Sequence, residues 1–253
     1  MPRKALHVRG GALLPAEPVA TFGAAVSSVN SAMVALSPGK TCEMYGLPKS
    51  DLTEWIVENA GHVLAGTATM MWLALNGMSV EKTIGFGIVP FLVVNAKNIL
   101  NETPQKFGMP VAGQFLLAAI STTVAYSCFT GAEWVGNAIK FYVAWNLLNG
   151  VFFAVAPEAG LKAWGLTGCS ASDLFMMENF GYFIVSSATM IASLSIFEQS
   201  AFKSVAYSFV PMFFSLIKHN FLTNAVEKFG MVKGPQYFWL AIMATIIASC
   251  GFD

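Results

Sequence analysis

The chain contains one sequence pattern twice, over residues 28–131 and again over residues 147–253. Matching runs and single residues occur in the same order in both copies: Glu58-Asn59-Ala60-Gly61 with Glu178-Asn179-Phe180-Gly181, Lys106-Phe107-Gly108-Met109 with Lys228-Phe229-Gly230-Met231, Asn30 with Asn149, and Gln114 with Gln236. Self-similarity of this kind indicates a tandem duplication. The chain must therefore fold as two related units, and a polar residue kept in both copies marks a constrained position.

The composition indicates that these units lie in a membrane. Charged residues make up 11% of the chain, compared with roughly 25% in soluble domains, and the mean hydropathy is +0.60. A membrane-spanning helix needs about 17–25 residues with few charges. Uncharged segments that reach or approach this length cover residues 18–39, 59–80, 83–96, 107–132, 141–157, 179–197, 204–217 and 234–252. The sequence therefore predicts an all-α integral membrane protein with eight transmembrane helices.

The two shortest uncharged segments, 83–96 and 204–217, span a bilayer only if their helices include a flanking lysine. Lys97 and Lys218 meet this need, because a lysine ammonium group can reach back to the headgroups. Each of these helices also contains a proline near its middle, Pro90 or Pro211, which predicts a kink.

Four spans in each copy determine how the copies are related. After an even number of crossings the second copy enters the membrane from the same side as the first, so the repeats are parallel and both termini lie on one face. We expect an extramembrane arm over residues 1–16, a four-helix repeat over 17–132 and a second over 133–253. Lys and Arg are spread too evenly over the loops to assign the orientation.

The remaining bulk features exclude several function classes. The net charge is zero, so the sequence lacks the basic patch that nucleic-acid binding requires. Phosphate loops, metalloprotease motifs and nucleophile elbows are absent from the sequence, and the four cysteines have no metal-site spacing. We therefore expect a protein that is not an enzyme, with no metal site and with packed thiols.

Two glutamates at membrane depth carry the main functional signal. Glu58 and Glu178 lie one to two turns inside their helices, where an unpaired carboxylate is costly. Because the second helix of each copy starts on the face where the third one ends, Lys97 can approach Glu58 and Lys218 can approach Glu178. The sequence predicts two close ion pairs. Such a pair can hold two helices together, and its carboxylate can at the same time offer an oxygen to a hard metal such as Mg²⁺.

Further polar side chains lie near these glutamates or at the matching end of the third helices. They are candidate ligands, or else hydrogen-bonded packing residues and side chains solvated at the interface: Asn59, His62, Asn179, Asn95, Asn98, His219 and Asn220. Four other amides, Asn30, Asn149, Gln114 and Gln236, are predicted to form hydrogen bonds between helices.

Two resemblances extend these expectations. The four-helix unit, with Gly46-Leu47 and Gly165-Leu166 after the first helix of each copy, resembles the DoxX-like membrane proteins. The stretch Val8-Arg9-Gly10-Gly11-Ala12 is similar to one found shortly before the mature region of plastid proteins in algae with red-lineage plastids. This second resemblance implies a thylakoid location. It also implies chlorophyll held through Mg²⁺ by a lysine-paired Glu or by His, Asn or Gln, although the helix motif of light-harvesting proteins is absent.

The sequence-based hypothesis is a non-catalytic integral membrane subunit that scaffolds a larger, photosynthetic complex of membrane subunits. Chlorophyll, carotenoid and lipid are its expected cofactors, and Glu58, Glu178 and the surrounding amides and histidines are their expected sites. The alternatives are a stand-alone DoxX-like protein in redox or small-solute handling, and a small channel or carrier.

Overall fold

The computed structural model describes residues 14–252, and every regular element in that range is helical. Eight helices are long: α1 Ala16–Leu36, α3 Asp51–Leu75, α4 Val80–Leu100, α6 Val111–Thr130, α7 Val135–Val155, α9 Ala171–Ser195, α10 Ala201–Ile217 and α12 Lys233–Cys250. Four are short: α2 Pro38–Tyr45, α5 Thr103–Lys106, α8 Pro157–Ala163 and α11 Ala225–Lys228. The first six and the last six helices thus follow the same order of long and short elements.

The protein is an all-helical membrane protein by the length and composition of its helices. Five of them, α1, α4, α6, α7 and α9, are long and apolar enough to cross a bilayer. The other three long helices are shorter or more polar. Helix α10 has 17 residues and α12 has 18, while the first half of α3 carries Glu58, Asn59 and His62.

Helices from the two halves pack against one another. Helices α3 and α9 are in contact with each other, and α1 packs on α3 as α7 packs on α9. The first long helix of each half also contacts the last long helix of the other, α1 with α12 and α6 with α7. The described ends of the chain meet, because the Cys250 thiol lies 3.5 Å from the carbonyl oxygen of Ala16. This proximity agrees with both termini lying on one face of the membrane, which stays a prediction.

Glycines allow the closest helix contacts at equivalent places in both halves. A Cβ atom on Gly61 of α3 would lie 2.3 Å from the backbone nitrogen of Ala35, and one on Gly181 of α9 would lie 2.4 Å from that of Ala154. Real Cβ atoms do not approach backbone this closely. Helices α1 and α3, and likewise α7 and α9, can therefore pack at this distance only because these positions lack a side chain.

One segment breaks the regular pattern in the second half. Lys97 corresponds to Lys218, and Glu102 corresponds to Asn224. Glu102 and Asn224 both have a positive φ, 53° and 51° respectively. The second half contains one more residue between these landmarks, and there Lys218–Leu222 forms a π-helical segment. A π-turn accommodates a single extra residue in a helix and is frequent at functional sites. This segment carries His219.

Candidate functional site

The two predicted ion pairs are confirmed. Lys97 Nζ pairs with Glu58 Oε1, which joins α4 to α3, and Lys218 Nζ lies 2.6 Å from Glu178 Oε1, which joins the end of α10 to α9. The glutamate side chains are each 15% exposed, whereas the lysine side chains are 51% and 34% exposed. The pairs therefore lie at the edge of the packed interior, with the ammonium groups toward the surface.

In the first half, a closed hydrogen-bond network lies beside the ion pair. The indole N–H of Trp55 donates to Asn98 Oδ1 at 3.0 Å, and Asn98 Nδ2 donates to Asn59 Oδ1 at 3.0 Å. Asn59 Nδ2 in turn donates to the backbone oxygen of Trp55 at 2.7 Å. All three residues are buried. The network satisfies both amides from within the protein, so Asn59 and Asn98 act first as structural residues.

In the second half, the same positions hold different side chains. Phe175 takes the place of Trp55 and His219 that of Asn98, while Asn179 Oδ1 accepts a hydrogen bond from Ser215 Oγ at 3.0 Å. His219 is 3% exposed, and the centres of the Phe175 and His219 rings are 4.7 Å apart. Neither ring nitrogen of His219 has a hydrogen-bond partner within residues 14–252. Its Nε2 lies 3.5 Å from Glu178 Oε1. This distance suits an ion pair with a protonated imidazole, but the two atoms do not have hydrogen-bond geometry.

The other predicted ligands are bonded within their own helix or its neighbour. His62 Nδ1 lies 2.9 Å from the carbonyl oxygen of Glu58, so Nδ1 carries the proton in this bond. Asn220 Nδ2 donates to the Leu216 carbonyl at 2.8 Å, and Asn95 Nδ2 to the Gln114 carbonyl at 3.5 Å. Asn95, Asn98 and His219 are buried. The interpretation of these three as side chains solvated at the interface is therefore wrong, because neighbouring helices cover them.

The four amides that were expected to bridge helices line pockets in the protein interior. Two of the pockets between the halves each contain the same set of equivalent amides. Pocket A lies among α3, α4, α6, α7 and α9, and it includes Asn59, Gln114 and Asn149. Pocket B lies among α1, α3, α9, α10 and α12, and it includes Asn179, Gln236 and Asn30. Each pocket thus takes two amides from one half and the third from the other.

The prediction of hydrogen bonds between helices is wrong for these side chains. Asn149 Nδ2 bonds to the Trp145 carbonyl of its own helix at 2.7 Å. Within residues 14–252, the side chains of Asn30, Gln114 and Gln236 make no hydrogen bond. These side chains face a pocket instead of a neighbouring helix. The amides retained in both halves are therefore pocket-lining groups.

The pocket volumes restrict what can bind. Pocket A has a volume of about 70 Å³ and pocket B of about 140 Å³. A cavity of about 150 Å³ in a protein core holds benzene, and a tetrapyrrole macrocycle is far larger. Neither pocket A nor pocket B therefore has room for a chlorophyll ring. Five predicted ligands are half-buried, Glu58, His62, Glu178, Asn179 and Asn220, and of these Asn179 lines pocket B.

Asp173 is a site residue that the sequence analysis missed. It is 4% exposed, and its Oδ1 accepts hydrogen bonds from Ser50 Oγ at 2.9 Å and Thr53 Oγ1 at 2.6 Å. Its Oδ2 accepts from the backbone N–H of Ser170 at 2.9 Å. One carboxylate thereby connects the starts of α3 and α9. The Ser170-x-x-Asp173 spacing is a capping-box signal, but the first half has Thr53 at the equivalent position, so a search for repeated residues passes over it.

The cysteines and acidic residues give no indication of a metal centre. Among residues 14–252, no group of three His, Cys, Asp or Glu side chains is placed to hold a metal ion. Cys42, Cys128 and Cys250 are buried. Burial raises the pKa of the Cys42 thiol, in the short helix α2, to about 11, so this thiol is neutral and packs as a small apolar group, as predicted.

The chain matches no protein-family model, and comparisons with curated proteins and with solved structures give no significant match. The DoxX-like resemblance stays a prediction. The stretch over residues 8–12 that resembles plastid proteins lies outside the described residues 14–252.

Proposed function

We propose that the protein is an eight-span, non-catalytic membrane subunit, built from a duplicated four-helix unit, that scaffolds a larger membrane complex. The observation that carries this proposal is that two glutamates in the long helices form ion pairs with lysines of a neighbouring segment. At membrane depth, the Glu58–Lys97 and Glu178–Lys218 pairs hold neighbouring helices together, while the outer faces of the helices are apolar. A rigid interior with an apolar exterior suits a protein that packs against lipid and other membrane subunits.

The equivalence of the helices supports eight spans. The three long helices that are too short or too polar by themselves are α3, α10 and α12. Their counterparts in the other half are α9, α4 and α6, and all three of these are long and apolar enough to cross a bilayer. Since equivalent helices pack against equivalent neighbours, every position of the four-helix unit has at least one copy with the properties of a transmembrane helix.

The outer surface offers contacts for lipid and partner subunits. Large apolar side chains on α1, α7 and α12 are strongly exposed, among them Val29 at 73%, Leu36 at 78%, Leu148 at 70% and Phe238 at 57%. Exposed apolar surface of this extent is stable only against lipid or another protein.

We extend the proposal to a photosynthetic complex with chlorophyll, carotenoid and lipid bound on this outer surface. Glu58 and Glu178 support the chlorophyll assignment, because each is partly exposed and paired with a lysine. A carboxylate with its charge balanced in this way keeps an oxygen for a hard metal such as Mg²⁺.

Purification in mild detergent tests both levels of the proposal. We expect the tagged protein, isolated from its native membranes, to migrate on a native gel with other membrane subunits and to carry the absorption bands of chlorophyll and carotenoid. An assembly without pigment would overturn the photosynthetic extension and retain the scaffold. A colourless monomer that binds a small solute would overturn both, in favour of a DoxX-like protein or a carrier.

A further inference from the structure

Pockets A and B are equivalent in position but differ in their polar groups. In pocket A, Asn59 is bound to Asn98, which Trp55 also holds. The equivalent of Asn98 beside pocket B is His219, which lines the pocket and has no hydrogen-bond partner on either ring nitrogen among the described residues. Pocket B also has twice the volume, about 140 Å³ compared with about 70 Å³.

A buried histidine without a hydrogen-bond partner is costly unless something binds it. Burying a polar group without such a partner destabilises a protein, and buried polar groups in native structures nearly always have a protein or solvent partner. His219 is 3% exposed. The amide of Gln236, 5% exposed and also on the pocket wall, makes no side-chain hydrogen bond within residues 14–252. Asn30 also lines this pocket and makes no side-chain hydrogen bond within residues 14–252. Three polar groups are thus available at a pocket that is otherwise mostly apolar.

We infer that pocket B binds a small, neutral, apolar ring that carries one hydroxyl or carbonyl oxygen, with this oxygen hydrogen-bonded to His219. This ligand site goes beyond the scaffold function and does not depend on it.

The size and lining of pocket B determine the class of ligand. Its volume is close to that of a cavity that holds benzene, so a single ring fits. Phe209, Met212, Leu64 and Met243 contribute apolar surface. A charged ligand would lose its hydration on entering such a pocket, and Lys218 is already paired with Glu178. A neutral imidazole has one donor and one acceptor nitrogen, so it can bind a hydroxyl or a carbonyl oxygen. The ring is either a free molecule or the oxygenated end of a longer apolar molecule.

Binding of two fluorinated probes to the full chain in detergent tests this inference. We expect 4-fluorophenol to show saturable binding by ¹⁹F NMR, about tenfold tighter than fluorobenzene, because one hydrogen bond distinguishes the two rings. In protein labelled with ¹⁵N-histidine, 4-fluorophenol should shift the ring nitrogens of His219 and leave those of His62 unchanged. This second measurement needs no substitution.

Substitutions locate the bound probe. His219→Leu should abolish the preference for 4-fluorophenol, and Gln236→Leu should weaken phenol binding. Gln114→Leu, the equivalent change in pocket A, is the matched control and should leave binding unchanged. The inference is overturned if wild-type protein binds neither probe saturably or binds both equally. It is also overturned if the preference persists in His219→Leu.

The source of the natural ligand is tested by extraction. Organic extraction of protein purified from its native membranes, followed by mass spectrometry, should yield an oxygenated ring compound that is depleted in His219→Leu. A compound of ring size supports a free molecule, and one with a long apolar chain supports a membrane lipid or pigment. Equal amounts of every extracted compound in both proteins would contradict the site.

Discussion

A layer of buried polar side chains lies beside each ion pair, at equivalent positions in the two halves. The layer in the first half is closed, because its side chains are hydrogen-bonded to one another, and the layer in the second half is open, because His219 lacks a hydrogen-bond partner among the described residues. In the first half, Trp55 and Asn98 complete a buried network with Asn59. In the second half, Phe175 cannot donate a hydrogen bond, and His219 has no hydrogen-bond partner within residues 14–252. The comparison shows that two halves with the same framework can differ in one layer, where His219 takes the place of a structural amide.

The framework itself is alike in both halves. Each half has a glutamate–lysine pair and a glycine at the closest helix contact. Each half also contributes amides at the same three equivalent positions to the two pockets. Identical substitutions at the closest glycine contacts should therefore have equal effects in the two halves, and substitutions in the polar layers should not.

The largest effects are expected at the closest helix contacts. Gly61→Ala and Gly181→Ala each place a Cβ atom 2.3–2.4 Å from backbone nitrogen, so the helices must separate. Overpacking of this kind costs about 1–3 kcal/mol, and we expect about 3 kcal/mol here because backbone, not a side chain, is in the way. Thermal unfolding in mild detergent measures the loss.

Two other helix glycines are matched controls for this prediction. A Cβ atom on Gly113 of α6 or Gly136 of α7 would meet nothing within 4 Å. Alanine there should leave stability unchanged or raise it by up to about 1 kcal/mol, because alanine favours helix more than glycine does. Equal losses at all four positions would contradict the close-contact explanation.

The next largest effect is expected at Asp173, which has no counterpart in the first half. Asp173→Asn places an amide group opposite the donors of Ser50, Thr53 and Ser170, and at least one donor must lose its acceptor. Hydrogen bonds to charged groups contribute about 1.5–3 kcal/mol, so we expect a loss of about 2 kcal/mol in the free energy of unfolding. Asp51→Asn, at an exposed position in the first turn of α3, is the control and should cost less than about 1 kcal/mol. Similar losses in both variants would show that Asp173 does not connect the helices.

These residues also show how far the sequence could predict the structure. The ion pairs were predictable because helix order alone brings Glu58 near Lys97 and Glu178 near Lys218. The helical class followed from the spacing of the charges. The surroundings of an amide side chain could not be predicted. An amide on an apolar helix suits a helix interface, a pocket or the membrane surface equally well. Only the packing of one half against the other decides that Gln114 and Gln236 line pockets and that His219 is buried.

A smaller effect is expected from making the closed layer resemble the open one. Trp55→Phe introduces the side-chain type found at Phe175 and removes the donor to Asn98 Oδ1. The acceptor is buried, so we expect a loss of about 1–2 kcal/mol, measured by thermal unfolding. Trp134→Phe changes an indole that is 43% exposed, and it should cost less than about 0.5 kcal/mol. A loss no larger in Trp55→Phe than in this control would show that the network contributes little.

The smallest effect concerns the ion pairs, and a double-mutant cycle on each pair measures it. Alanine substitutions of Glu58 and Lys97, singly and together, give one coupling energy, and those of Glu178 and Lys218 give the other. We expect the ammonium groups of Lys97 and Lys218 to reach the headgroups, where water is present. Ion pairs exposed to water contribute about 0.2–1 kcal/mol because water screens them, and less exposed pairs couple more strongly. The lysine side chain is 51% exposed in the first pair and 34% in the second. We therefore expect coupling of about 0.5 kcal/mol for Glu58–Lys97 and about 1 kcal/mol for Glu178–Lys218, each smaller at high salt. A larger value for the first pair would mean that exposure does not govern these interactions, and the second half would then be the more loosely held of the two.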